Sequence, residues 1–366
     1  MRAISLDSNY LPGHRNLAVA LTEQGKLDNG LQHYRRALAL APDNDYVHYH
    51  LGILHLLKGD LPQGWAGYEY RWINQVQPVK KREFAQPYWQ GESLEGKIIL
   101  VWGEQGIGDE IMFSSCLPQI IAASRHCVIE CSPKLEGLLR RSFPTATVRA
   151  MAPDAGQGVG DGETDLQIAM GSVPQYLRQT HADFPRHSGY LKADPERVQR
   201  WRERLAALGG GLKVGISWQG GTVKTRRAVR SLALTQWLPI LRAPGVRFVN
   251  LQYIDCSGEI AEFKAASGIG VVDWPEVRED YEDTAALVWA LDLVISVCTA
   301  VIHLGGALGK PVWVMAPYSP EWRYGIAGEQ MPWYPSVRVF RQPRYGEWEP
   351  VIERVADELR RRAGPA

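Results

Sequence analysis

Residues 97–109 read Lys-Ile-Ile-Leu-Val-Trp-Gly-Glu-Gln-Gly-Ile-Gly-Asp, and this stretch decides the fold class. Ile98 to Trp102 is an unbroken apolar run, as a strand covered on both faces of a parallel sheet requires. A glycine loop follows, and Asp109 opens a helix expected to run to about residue 123. A second apolar run at 127–131 and a second helix at 133–141 complete a strand–helix–strand unit. Residues 153–164 are crowded with Gly and Asp and read as a mobile loop.

The pattern restarts after Tyr190. Asp194 is placed as an N-cap and Pro195 at the first position of a helix that ends at Gly209-Gly210-Gly211. Strands are expected at 213–218, 246–252, 270–273, 293–297 and 312–316, with helices between them. A last helix at about 348–362 is amphipathic and is expected to pack back on the first domain. Two consecutive units of this kind create a cleft, where ligands of open α/β sheets bind.

The chain before residue 97 follows a different rule. A shift of 34 residues aligns His14 with His48, Leu17 with Leu51, Gly25 with Gly59, Leu27 with Leu61, Gly30 with Gly64 and Tyr34 with Tyr68. That is the period of tetratricopeptide (TPR) repeats. Small residues at Ala18, Gly30 and Ala37 let paired helices approach, Leu17, Leu21 and Tyr34 fill the gap, and Pro42 ends the second helix. Residues 9–42 make one full unit, preceded by a partial one and followed by a modified one to about Trp72. The segment is too short to stand alone, so either it packs against the following domain or further repeats are expected upstream, as the opening of the chain in the middle of what should be a second repeat helix suggests. The segment serves either to recognise a protein partner or as a structural cap.

The organisation is therefore α/β with an N-terminal all-α segment: TPR helices at 1–72, a linker at 73–96, Rossmann-like domains at 97–189 and 190–347, and a closing helix at 348–366. The basic run Lys80-Lys81-Arg82 reads as a solvated face of the linker. A net charge of +1 over 366 residues gives no global case for nucleic acid or an anionic membrane. Residues 285–308 are apolar, but Asp292, His303 and Gly305-Gly306 favour a buried helix–strand–helix over a membrane span. The five cysteines form no CxxC pair and suit reduced thiols of a cytoplasmic protein, with no zinc spacing.

Three segments can carry chemistry. The loop spacing GxxGxG is a weak dinucleotide signal, but Gly106 and Gly108 permit close approach of a ligand to the backbone. Asp109 reads either as a helix cap or as a general base at the cleft floor. Residues 218–232 place Lys224, Arg226, Arg227 and Arg230 on one strand-exit loop, which suits a diphosphate or is a solvated basic loop. At 296–308 a strand leads into a helix that Thr299 is placed to cap. The N-terminus of that helix is a ready phosphate site, and His303 lies one turn in, packed or functional. Asp43-Asn44-Asp45 reads as a turn and not as a metal site.

Several motifs together are more specific. They are Gly64-Trp65-x-x-Tyr68-Glu69-x-Arg71-Trp72, Trp89-x-Gly91-Glu92-x-Leu94-x-Gly96-Lys97, Glu104-Gln105-Gly106-x-Gly108-Asp109, Asp283-Thr284-Ala285, Thr299-Ala300-Val301-x-His303-Leu304, Gly309-Lys310-Pro311-Val312-Trp313-Val314, Glu321-Trp322-Arg323 and Pro332-Trp333-Tyr334-Pro335. From about Ala3 to Arg361 the chain resembles bacterial TPR proteins fused to a heptosyltransferase-like domain of the glycosyltransferase family 9 type. The resemblance implies the GT-B fold. It also implies transfer of a sugar from a nucleoside diphosphate sugar, ADP-heptose-like, without cofactor or metal and with inversion. The acceptor would be a protein, such as a surface or flagellar protein, or a glycan. It further implies Asp109 as general base, and Trp218, Lys224, Arg230, Gln252, Cys298, Thr299, Ala300 and His303 as donor-binding positions. Two positions depart from the family pattern: Cys298 stands where Asp usually precedes the Thr, and Tyr253 where Lys often follows the Gln. A thiol accepts hydrogen bonds poorly, so Cys298 favours the alternative of a non-catalytic TPR scaffold with a degenerate nucleotide-binding domain. A GT-B-fold sugar epimerase is the other alternative.

Overall fold

The computed structural model describes residues 2–72, 81–152, 164–221 and 227–364. The glycine-rich stretch at 153–163, Lys80 of the linker, and Lys224 and Arg226 of the basic loop lie outside them.

The first helices are α1 (Arg2–Leu6), α2 (Leu11–Glu23), α3 (Leu27–Leu40), α4 (Asp45–Lys58) and α5 (Leu61–Tyr68). They pack as helical hairpins, α2 on α3 and α4 on α5. Glycine sets the closeness of the second pair: a Cβ on Gly52 would lie 2.6 Å from the carbonyl carbon of Gly67. The Asp43-Asn44-Asp45 turn is a helix start, where Asn44 Oδ1 accepts from the Val47 N–H at 3.1 Å.

The first sheet domain holds β1 (Ile98–Trp102), β2 (His126–Cys131), β3 (Thr147–Ala150) and β4 (Leu166–Ala169), all parallel, in the order β3-β2-β1-β4. Its helices are α6 (Ile107–Phe113), α7 (Leu117–Ala123), α8 (Glu136–Ser142) and α9 (Pro174–Leu177). The single helix expected from Asp109 is two, because Pro118 in the first turn of α7 interrupts the hydrogen-bond ladder and a 3-10 turn joins the pieces.

The second domain holds α10 (Pro195–Ala206), β5 (Leu212–Ser217), α11 (Arg227–Arg230), α12 (Leu238–Leu241), β6 (Val246–Asn250), α13 (Ser257–Ser267), α14 (Glu276–Glu279), α15 (Tyr281–Ala290), β7 (Leu293–Val297), α16 (Ala300–Ala307), β8 (Val312–Ala316), β9 (Gln330–Met331), β10 (Tyr334–Arg341) and α17 (Glu349–Ala363). The sheet order is β6-β5-β7-β8-β10-β9, parallel except for the β9–β10 pair. Asp194 caps α10 by accepting from the Glu196 and Arg197 N–H groups. The run at 270–273 makes only one bridge, Val249 to Val272, and is not a strand.

Two expectations are corrected. Helix α17 does not pack on the first domain. Its buried stripe of Val351, Ile352, Val355, Ala356 and Leu359 joins the second-domain core with Val214, Trp237 and Leu241, where α12 offers it an apolar face. Nor are residues 81–96 an open linker. Trp89 and Leu94 are buried, the Trp89 N–H donates to Gln167 O at 2.9 Å beside β4, and Arg82 is ion-paired to Glu130 next to the Trp102 ring. Arg82 is thus an internal strut, while Lys81 is exposed as a solvated face would be.

One apolar core spans all three parts. It contains Leu56, Trp65 and Tyr68 of the helical segment, Ile111 and Phe113 of the first domain, and Ile302, Leu304 and Trp333 of the second. Among the described residues no helix is long and apolar enough to cross a membrane.

Candidate functional site

The two domains meet where α6 and α16 touch. A Cβ on Gly108 would lie 3.3 Å from both Cα and Cβ of Ala300 and from Cδ2 of His303. A side chain at this position would require the two helix starts to give way by a few tenths of an ångström. Gly106 and Ala300 remain exposed there, while Gly108, Asp109 and Thr299 are half-buried. The glycine loop and the start of α16, 190 residues apart between Asp109 and Thr299 in sequence, thus form two sides of one cleft.

Asp109 is neither the N-cap nor a free carboxylate. Gly106 holds the cap position, and Asp109 is the third residue of α6, with Oδ2 accepting from the Gly106 N–H at 3.3 Å. Its other oxygen, Oδ1, accepts from Arg323 Nη1 of the second domain at 2.6 Å. Burial disfavours the Arg323 charge, but Asp109 and Glu321 outweigh it and hold the guanidinium above its ordinary pKa. Glu321 also accepts from Arg230 Nη1, while Arg230 Nε donates to Gly220 O at 3.2 Å. A line of alternating charge therefore runs Arg230–Glu321–Arg323–Asp109 across the domain boundary.

Thr299 sits at the N-cap position of α16, but its side chain does not cap. The hydroxyl instead lies 3.0 Å from Ser296 Oγ. The first N–H groups of the helix keep their capacity to donate to an anion, and the helix dipole favours one there.

The other expected donor positions stand behind this surface. Trp218 is wholly buried, with its ring in the second-domain core and Nε1 donating to Glu259 Oε2 at 3.0 Å. Gln252 is buried and its Oε1 accepts from the Gln219 N–H at 3.3 Å. His303 is buried with Nδ1 3.1 Å from the Tyr334 hydroxyl. Burial first, then Arg323 and Arg230, depress its pKa well below the usual value, so the ring is neutral. Cys298 is buried against Met315 O, and burial pushes its thiol up to about 12. The structure therefore brings Gly106, Gly108, Asp109, Thr299, Ala300 and Arg230 together and sets Trp218, Gln252, Cys298 and His303 as their backing. Lys224 falls outside the described residues. Tyr253, where the family often has Lys, is exposed and its hydroxyl donates to Gly221 O at 3.2 Å.

Sequence reasoning missed Arg323 and Glu321 as parts of this site. They stood only within the Glu321-Trp322-Arg323 motif, and no local pattern connects Arg323 to a carboxylate 214 residues earlier. Next to Arg323 a cavity of about 210 Å3 opens between α4–α5 and the second domain, with Leu56, Trp65, Phe184, Trp322 and Trp333 among its walls. No group of three His, Cys, Asp or Glu side chains suited to a metal ion occurs among the described residues.

Glu110, beside the base candidate, carries a pH signature. Its carboxyl is buried and accepts from the Ser132 N–H at 2.9 Å, and burial raises its pKa to about 7. A carboxyl with a raised folded-state pKa binds its proton more tightly when folded. The stabilisation is complete below the unfolded pKa and is lost as pH rises through 7. Relative to Glu110→Gln, wild-type unfolding free energy is expected to fall by roughly 3 kcal/mol between pH 4.5 and 8. Urea unfolding of both proteins across that range measures the difference, and parallel curves would contradict it.

The comparisons with known proteins bear on the fold. The TPR repeat family matches residues 20–59. Protein FlbA of Caulobacter vibrioides is 33% identical over 377 residues, covering 98% of this chain and 63% of that protein. The chain thus spans less than two thirds of the length of this relative. Among solved structures, the glycosyl transferase of family 9 from Veillonella parvula is similar with a TM-score of 0.51 at 11% identity, over 74% of this chain and 100% of the other. ADP-heptose lps heptosyltransferase II of E. coli is similar with a TM-score of 0.48 at 11% identity, over 72% of this chain and 98% of the other. The chain joins TPR helices to the two-domain, GT-B type of fold seen in family 9 glycosyltransferases.

Proposed function

We propose that this chain transfers a glycosyl group from a nucleoside diphosphate sugar, ADP-heptose-like, to a protein or glycan hydroxyl, without a metal and with inversion. The observation that carries the reading is the facing of Asp109 and the uncapped α16 start across the domain boundary, with Arg230 and Arg323 alongside. Asp109 takes the proton of the acceptor hydroxyl as its oxygen attacks the anomeric carbon. The bond from that carbon to the diphosphate oxygen breaks. The negative charge that grows on the leaving diphosphate is met by the α16 N–H groups and Arg230. Arg323 fixes the Asp109 carboxylate through Oδ1. Cys298 is buried, so its thiol replaces an internal group and leaves the exposed face of the site intact.

Titration calorimetry with ADP, GDP and UDP and their sugars tests the reading. One nucleotide class is expected to bind, and Arg230→Ala is expected to weaken it about 10- to 100-fold, the value of a charge-assisted hydrogen bond. Absence of binding by every member of the panel supports the scaffold instead. Binding followed by conversion of the donor sugar to an isomer, with no diphosphate released, supports the epimerase.

A further inference from the structure

We infer that Tyr68 and Arg71, at the end of the TPR segment, are positioning residues that hold the glycine loop so that Asp109 meets Arg323. The inference rests on Asp109 being the general base.

The loop between β1 and α6 is held from outside its own domain. Arg71 is buried, with a fork onto Glu104: Nη2 donates to Oε1 at 2.7 Å and Nε to Oε1 at 3.1 Å and Oε2 at 3.2 Å. The same guanidinium donates to Ser172 Oγ at 2.6 Å and to Glu69 Oε1 at 2.6 Å. A Cβ on residue 171 would strike Glu104 Oε1, so Gly171 makes the room that this arrangement needs. One residue on, Gln105 is the only non-glycine with positive φ among the described residues, at 64°. Its side chain is clamped by Tyr68, whose hydroxyl donates to Oε1 at 3.0 Å and accepts from Nε2 at 2.8 Å. Residues other than glycine seldom hold this conformation unless their surroundings impose it. Gly106, the cap of α6, follows directly, and Asp109 is three residues further.

The same helix reaches the other half of the ion pair. The Tyr68 ring lies edge-on to Trp322 at 5.7 Å between centroids, and Trp65 does so at 5.5 Å. Trp322 precedes Arg323. Helix α5 and the turn after it therefore touch both the loop that leads into α6 and Asp109, and the residue that precedes Arg323. The repeat segment is part of the site and not only an appended docking module.

The test is Tyr68→Phe, which keeps the ring and its contact with Trp322 but removes the hydroxyl. With ADP-heptose as donor, kcat for ADP release is expected to fall about tenfold, while KM and ADP affinity stay unchanged. Gln105→Gly in the same chain is expected to restore most of kcat, because glycine adopts positive φ without a tether. Amide exchange at residues 103–109 is expected to quicken in Tyr68→Phe, whatever the donor. Unchanged exchange overturns the inference, as does wild-type kcat in Tyr68→Phe alongside an inactive Asp109→Asn. Full turnover by Asp109→Asn instead overturns the assignment of the base.

Discussion

Replacing Asp109 by Asn is expected to slow sugar transfer by about 10²- to 10⁴-fold, the range for loss of a general base, with nucleotide binding unchanged. Asn has the shape of Asp and its carbonyl oxygen can still accept the Gly106 N–H that Oδ2 now takes. It cannot accept a proton from an acceptor hydroxyl. Arg323 keeps Glu321 as a neighbour in the variant, with Nε 3.8 Å from Oε2, so the buried cation is not stranded. Initial rates of diphosphate release, set against calorimetry with ADP, separate chemistry from binding. A variant that loses both equally would show that Asp109 organises the cleft and does not act as the base.

The second large effect concerns stability. Arg71→Met is expected to cost about 3–5 kcal/mol, because removing one member of a buried pair leaves its partner charged and unmatched. Glu104 is buried and takes the whole fork of Arg71, and Glu69 takes a further bond. Lys at this position keeps the charge but not the fork, so Arg71→Lys is expected to fall between Met and wild type. Urea unfolding at pH 7 measures all three. A loss below about 1 kcal/mol in Arg71→Met, the scale of an exposed pair, would contradict the account of this network.

The backbone of the fold was legible because its signals are local. The apolar runs at β1, β5, β7 and β8 are buried strands, and Asp194 with Pro195 marks the start of α10. The 34-residue period is visible because each repeat must bury the same small and aromatic positions. What was missed depends on long-range packing. Strand β10 carries polar residues between its apolar ones, Arg338 and Arg341 among them, so it lacks the continuous run that marked its neighbours. The choice of face for α17 could not follow from its own amphipathicity, which says that one stripe is buried but not against what.

The site divides in the same way. The glycine loop, the basic loop and the start of α16 each carried a local chemical signature, and the structure brings Gly108 and Ala300 into contact. Trp218 stood as a donor-binding position only through the family resemblance, and its ring turns inward to Glu259. Thr299 looked like a cap, and Ser296 takes its hydroxyl instead. Arg323, Glu321, Tyr68 and Arg71 act through partners far away in sequence, and no spacing rule reaches them.

The most direct measurement is a crystal structure of the chain with bound ADP. The account predicts the diphosphate at the start of α16, within hydrogen-bond reach of the Ala300 and Val301 N–H groups and of Arg230, with Asp109 facing it across the cleft. A nucleotide seated elsewhere, with the α16 start left to solvent, would contradict it.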